Sequence, residues 1–305
     1  MATYVYRRSS STGARELAEA LPGGIRYRAT QLPIEQKARN GDAIVCWGET
    51  VGLIIAPNVK LLNNAPIRTK FNDAQILKQE GVPTIEVSLT KPVARPAVPG
   101  NDPALPTFNQ LRDLMGDFLQ LNAEVVRRRG APLVQGITDL TGTLQTFQRA
   151  LAQPVQEAQT AVEPGTWLGR MNSHVGGDDL LDPPEQADFY SKKVDFVKEF
   201  RVHSFMNKSI RAGVKEVREG FRNPHAWIRS WDGGWRIKYD GVSSKQKHRE
   251  IAHAAVTALG LQFGAVDIGE LRDGSLVVLE VNRAPGLEGG TVTAYAEAIQ
   301  RWLAA

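Results

Sequence analysis

At 305 residues the chain can bury one large core or two to three smaller lobes, and its apolar (42%) and charged (23%) fractions are those of an ordinary globular protein. The formal charge of +4 and the basic isoelectric point admit an acidic partner, such as ATP, an acidic peptide or nucleic acid, without choosing among them. No apolar run approaches the roughly eighteen residues of a membrane span and the start Met1–Arg8 lacks the core of a signal peptide, so no membrane is expected as a partner and the cytoplasm is the expected compartment.

Residues 3–87 read as a small α/β unit: strand Thr3–Arg7, helix Ala14–Ala20, strand Ala43–Trp47 and a helix over Lys70–Gln79 ended by Glu80-Gly81-Val82-Pro83. The alternation predicts a sheet with helices on its faces. Cys46 is the only cysteine, so no internal disulfide forms, and Ile44, Val45 and Trp47 around it predict a buried strand thiol. Thr90–Pro106 carries Pro92, Pro96, Pro99, Pro103 and Pro106 and reads as a linker or loop. Thr107–Arg129 then predicts an amphipathic helix with Phe108, Leu111, Met115, Phe118 and Val125 near one face, and Leu140–Ala152 repeats it with Leu140, Leu144, Phe147 and Leu151. This pair is either a helical hairpin packed on the rest of the protein or an arm for a partner. Arg127-Arg128-Arg129 is either a charged helix C-terminus or a nucleic-acid contact.

From Trp167 the pattern turns to strands and glycine loops. Gly165–Arg170 is a strand ending in a cation, followed by Met171–Asp179, where Gly176 and Gly177 either form a turn or let backbone N–H groups approach a phosphate. Glu199–Phe205 alternates strictly, with Glu199, Arg201 and His203 on one face and Phe200, Val202 and Ser204 on the other. A Glu199–Arg201 pair on a surface would contribute little. A second alternating strand runs from Ile210 to Lys215, and Arg229 precedes the turn Trp231–Trp235. Helices are predicted at Gln246–Leu259 and Thr291–Leu303, the latter with Val292, Tyr295, Ile299 and Trp302 on one side. The five histidines have no metal-ligand spacing, so zinc is not expected.

Between those helices lies the stretch with the most chemical content. Gly264–Ile268, a turn at Arg272-Asp273-Gly274-Ser275 and Leu276–Asn282 predict a hairpin with a two-residue Asp-Gly loop. Pairing Arg272 with Ser275 puts Asp267 opposite Glu280, with Asn282 on the same face and Val277, Leu279 and Val281 turned to a core. Opposed carboxylates repel, and solvent, a raised pKa or a bound cation would relieve them. Two carboxylates and an amide are oxygen ligands suited to Mg²⁺, with Mn²⁺ as a substitute, and the other reading is a solvated hairpin face. The chain has no P-loop, no dinucleotide fingerprint and no nucleophile elbow.

Glu199-Phe200-Arg201-Val202, Val266-Asp267-Ile268 and Leu279-Glu280-Val281-Asn282-Arg283-Ala284-Pro285-Gly286-Leu287-Glu288-Gly289 together resemble the ATP-grasp ligases, and the tail from Glu280 to Gly289 most resembles their RimK-like branch. The resemblance covers Ala65–Glu86 and Trp167–Leu303. It implies an α/β fold, that of ATP-grasp, with these parts: an N-terminal α/β lobe (1–64), the start of the nucleotide lobe with its proline-rich linker (65–106), a helical insertion (107–163), a small lobe with the glycine loop (164–198) and a large lobe with the metal site (199–305). The activity implied is ATP-dependent activation of a carboxylate as an acyl phosphate and its transfer to an amine.

Residue by residue, the resemblance makes Asp267, Glu280 and Asn282 magnesium ligands and Lys70 a phosphate-binding lysine. Arg170 stands where the family has a second such lysine, and the two are not interchangeable. Tyr190–Val194 falls at the adenine hinge, giving Lys192, Lys193 and Val194 as nucleotide contacts, although the acidic residue usual there is absent. Lys215, with Gly176 and Gly177, faces the nucleotide, while Arg201 and Arg229 face the transferring phosphoryl group. His174 and His203 have no family counterpart. The acceptor implied is a small molecule, peptide or protein, and a homo-oligomer fits. The alternatives are a non-catalytic nucleotide-binding or assembly module that works through the helical insertion, and a ligase acting on nucleic acid or a modified base.

Overall fold

The inner N-terminal strands, Thr3–Arg7 and Ala43–Cys46, are nearly continuous buried runs because both faces of their sheet are covered. Strands β1 (Thr3–Arg7), β2 (Gly24–Arg28), β3 (Ala43–Cys46) and β4 (Lys60–Leu62) form a parallel sheet in the order β2-β1-β3-β4. Between the first two runs α1 (Thr12–Ala20), which begins ahead of the predicted Ala14 because the Ser11 side chain caps it, accepting from the Ala14 N–H at 3.2 Å. The expected strand Ala43–Trp47 is present, while the edge strand β2 and the single turn α2 (Ile34–Lys37) were not anticipated.

The computed structural model describes residues 1–7, 11–28, 33–48, 53, 55–66, 68–90, 167–171, 187–224, 229–242, 245–287 and 289–305. The chain divides into two compact units, residues 1–89 with 167–305, and residues 90–166. The helices expected at Thr107–Arg129 and Leu140–Ala152, the basic run Arg127–Arg129 and most of the proline-rich segment fall in the second and lie outside the described residues. No helix among the described residues is long and apolar enough to cross a membrane.

The remainder of the first unit is built on two antiparallel sheets. Helix α3 (Lys70–Gln79), at its predicted bounds, leads to β5 (Val87–Ser88), which joins β6 (Trp167–Arg170) and β7 (Phe189–Lys192) in a three-stranded sheet. The larger sheet has the order β10-β9-β8-β11-β12, from β8 (Phe196–Phe205), β9 (Lys208–Val217), β10 (Trp235–Lys238), β11 (Phe263–Leu271) and β12 (Leu276–Asn282). Helix α4 (Gln246–Ala258) covers one face of it, where Ala252, Ala255, Val256 and Leu259 pack on Val202, Val266, Ile268, Val278 and Val281. The terminal helix α5 (Thr291–Ala304) buries Tyr295 and Ile299 with Leu17, Trp47, Phe205 and Phe263, so one core joins the parallel sheet to the end of the large one.

Cys46 is fully buried, and burial pushes its thiol up to about 12. The native chain is therefore expected to give no reaction with a thiol reagent at pH 8 and one equivalent after denaturation in guanidinium. A fast native reaction would contradict the burial.

Candidate active site

The large sheet has an apolar face under α4 and an ionisable face opposite. Cross-strand partners share a face, and the register sets out neighbouring rows. Asp267 pairs with Glu280 on one side and Arg201 on the other, while Ala265 pairs with Asn282 and His203, and His203 with Arg211. Glu199 pairs with Gly269 in the next row. The predicted opposition of Asp267 and Glu280 is thus present, but the route to it differs.

The loop holds three residues, Arg272, Asp273 and Gly274, closed by the Leu271 N–H donating to the Ser275 carbonyl at 2.9 Å, with Gly274 at φ +80°. Its shift of register is undone by a bulge that places Ile268 opposite Val278 but Asp267 opposite Glu280. One consequence corrects the expected core face: Val278 and Val281 pack under α4, whereas Val277 shares the face of Gly269 and Leu279 is the extra residue of the bulge.

Each carboxylate of this face meets a basic side chain. Arg201 holds Asp267 through two parallel bonds, Nε–Oδ1 at 2.6 Å and Nη2–Oδ2 at 2.7 Å. Burial works against the Asp267 charge, yet the Arg201 guanidinium outweighs it and keeps the carboxyl below its ordinary value. Lys70 Nζ lies 3.3 Å from Glu280 Oε1, with a quarter of each side chain exposed. Lys215 pairs with Glu199, whose burial raises its pKa against the pull of that lysine. The expectation that Glu199 and Arg201 form a surface pair is therefore corrected: both are turned to other partners, and both are held within the sheet.

Lys70 reaches this face because Thr69 caps α3, its side chain accepting from the Asn72 N–H at 3.1 Å. Arg283, next to Asn282, then ties the start of that helix down: Nη2 donates to Asp73 Oδ1 and Oδ2 at 2.6 and 2.8 Å, and Nη1 to the Pro66 carbonyl at 2.8 Å. The pairing of Asp73 with Arg283 carried no signal in the sequence, since a pair 210 residues apart leaves no local pattern.

The remaining expected residues are placed apart from these rows. Arg170 and Lys192 lie on the three-stranded sheet, and Lys193 and Val194 on the link from it to β8. Lys192 Nζ is 3.4 Å from Glu86, and its backbone N–H donates to the Glu86 carbonyl at 2.8 Å. Arg229 stacks between Phe196 and Trp235, 4.4 and 4.6 Å from their ring centroids, and donates to the Phe196 carbonyl at 3.2 Å. Gly176, Gly177 and His174 lie outside the described residues. Among the described residues no group of three or more His, Cys, Asp or Glu is gathered so that it could hold a metal ion.

His203 is fully buried, its Nε2 3.0 Å from the Tyr239 hydroxyl and its Nδ1 3.2 Å from that of Tyr295. Burial, with Arg201 and Arg211 nearby, lowers its pKa to about 3, and burial also lowers those of His248 and His253. Their folded pKa values lie below the unfolded value near 6.5, so the unfolded chain binds more protons and stability falls with pH below about 6.5. Between pH 7.5 and 5.5 His203 alone is expected to cost about 1.4 kcal/mol, read from urea midpoints. Imidazole NMR isolates this from the opposing effect of Glu199: a His203 signal that titrates near pH 6 would contradict it.

No family model matches the chain. In sequence it is 27% identical over 278 residues to a probable alpha-L-glutamate ligase of Serratia proteamaculans, an alignment spanning 87% of this chain and 74% of that protein. In structure it resembles the D-alanine–D-alanine ligase of Bacillus anthracis complexed with ATP, at a TM-score of 0.55 and 14% identity over 98% of this chain and 95% of that one. It also resembles the ATP-grasp ligase PsnB complexed with minimal precursor, Mg and ADP, at a TM-score of 0.53 and 12% identity over 99% and 98% of the two chains. The fold is the ATP-grasp fold. The relative in sequence and the neighbours in structure are ligases, and the activity of this chain is that of an ATP-dependent ligase joining a carboxylate to an amine.

Proposed function

We propose that Asp267, Glu280 and Asn282 form the metal end of an ATP site and that the chain is a RimK-like ligase whose amine is an amino acid or peptide. The observation that carries this reading is the face on which two register-paired carboxylates are each balanced by a basic side chain from another element, Arg201 and Lys70. The donor set fits a hard divalent cation, being oxygen only and including an amide that charge balance alone does not need. When bound, Mg²⁺ supplies charge neutralisation for the polyphosphate and polarises its transferring group.

The residues of the chain do the rest. With their carboxylates holding a metal, Arg201 and Lys70 would be free to meet phosphate oxygens. Lys215, paired with Glu199 in the neighbouring row, and Arg229, seated on two rings, extend the basic surface. Arg170, Lys192, Lys193 and Val194 supply the small-sheet side of the nucleotide site, and Gly176 and Gly177 the loop over its phosphates. The γ-phosphoryl group passes to the substrate carboxylate, and the amine then displaces phosphate, giving amide, ADP and phosphate. No protein nucleophile enters.

The choice of acceptor class is supported by relatives: the Serratia protein is a probable alpha-L-glutamate ligase, and PsnB was solved with a precursor peptide. Calorimetry of ATP-analogue binding with and without Mg²⁺, then ADP release with pooled amino acids and short peptides, tests the reading. Nucleotide binding indifferent to Mg²⁺ would contradict the metal ligands, and turnover with none of the acceptors would contradict the acceptor class.

A further inference from the structure

Lys70, Lys215 and Arg201 on the ionisable face each meet a carboxylate, whereas Arg211, in the row of His203, Ala265 and Asn282, meets none among the described residues. It is nevertheless held in place. Its guanidinium lies over the Tyr239 ring, 4.4 Å from the centroid, and against the backbone of Gly290, where an added Cβ would come within 2.2 Å of Nη1. Its Nε is buried and has no hydrogen-bond partner among the described residues. A half-buried cation without a counter-charge is costly, and an anion that docks there recovers the cost.

The ring beneath Arg211 is itself fixed. Tyr239 lies over Gly213, where a Cβ would meet its Cδ1 at 2.9 Å, so the strand is bare where the ring crosses it. Its hydroxyl bonds to His203, whose other nitrogen bonds to Tyr295 on α5. A neutral imidazole donates through one nitrogen and accepts through the other, so this chain of three side chains has a defined direction and holds the platform still.

Alternate residues of a strand lie roughly 7 Å apart, which separates Arg211 from the row of Arg201, Asp267 and Glu280 by one step on the Asn282 side. Resting on the ATP-site reading above, we infer that Arg211 binds a second carboxylate of the substrates, one that is not activated, and so selects for substrates that carry it. The planar fork suits a carboxylate. Two sources share that chemistry: the α-carboxylate of an amino-acid or peptide amine, and the spare carboxylate of a diacid. Tyr239 acts as its positioning residue.

The full chain, loaded with ADP and Mg²⁺, is titrated with glycine, glutarate and glycinamide while the Arg211 Nε–H signal, assigned through Arg211→Lys, is followed by NMR. Glycine or glutarate is expected to shift that signal saturably and glycinamide to leave it unmoved, and the tighter of the two carboxylates names the source. Tyr239→Ala should weaken that binding about fivefold and Tyr239→Phe should largely restore it. An unmoved signal with both carboxylates in the nucleotide-loaded chain overturns the inference. Equal affinity in Tyr239→Ala overturns the platform. Failure of ADP and Mg²⁺ to bind at the outset instead strikes the ATP-site reading, and this inference falls with it.

Discussion

Glu280→Gln is expected to lower ADP release by roughly a thousandfold while leaving the thermal midpoint almost unchanged. The amide keeps the shape and removes the charge that the proposed metal end of the site requires. Little stability goes with it, because the Lys70 partner is partly solvated and such pairs contribute about 0–1 kcal/mol. Initial rates at saturating ATP and Mg²⁺, set beside circular-dichroism melts of both proteins, separate chemistry from folding. Activity within tenfold of wild type would remove Glu280 from the metal site.

Arg201→Met is expected to be costly in a different way. Asp267 is buried with its charge, and removing the guanidinium that embraces both its oxygens leaves that charge without compensation, a loss of about 3–5 kcal/mol. Adding Asp267→Asn to the same chain is expected to recover more than half of the loss, since the double variant no longer buries a charge. Urea unfolding at pH 7 of the two single variants and the double one gives the coupling directly. A loss below 1 kcal/mol in Arg201→Met would show that Asp267 finds solvent or another cation.

The hairpin shows what was legible in the sequence and what was not. The pairing of Asp267 with Glu280 follows from the Asp-Gly loop by counting, yet the chain uses a longer loop and a bulge whose shifts cancel. The carboxylates and Val281 were therefore placed correctly, and Val277 and Leu279 were not: Val277 and Val278 are equally apolar, and only packing under α4 decides which of them faces it. Alternation fixed the ionisable face of Glu199, Arg201 and His203 because period two survives any partner. It could not say that Glu199 would meet Lys215 and Arg201 would meet Asp267, which depends on strand order. The edge strand β2 escaped notice for a similar reason, since Gly-Ile-Arg-Tyr-Arg alternates too briefly to stand out from its polar surroundings.

The tie between Arg283 and the start of α3 also bears on synthesis. Lys70 and Asp73 are made early, while the guanidinium that seats their helix comes 210 residues after Asp73. On the ribosome the helix that carries Lys70 therefore lacks this tie until β12 and Arg283 have cleared the exit tunnel. A nascent chain cannot close this tie before that point, so the seating of α3 waits on a residue far along the chain.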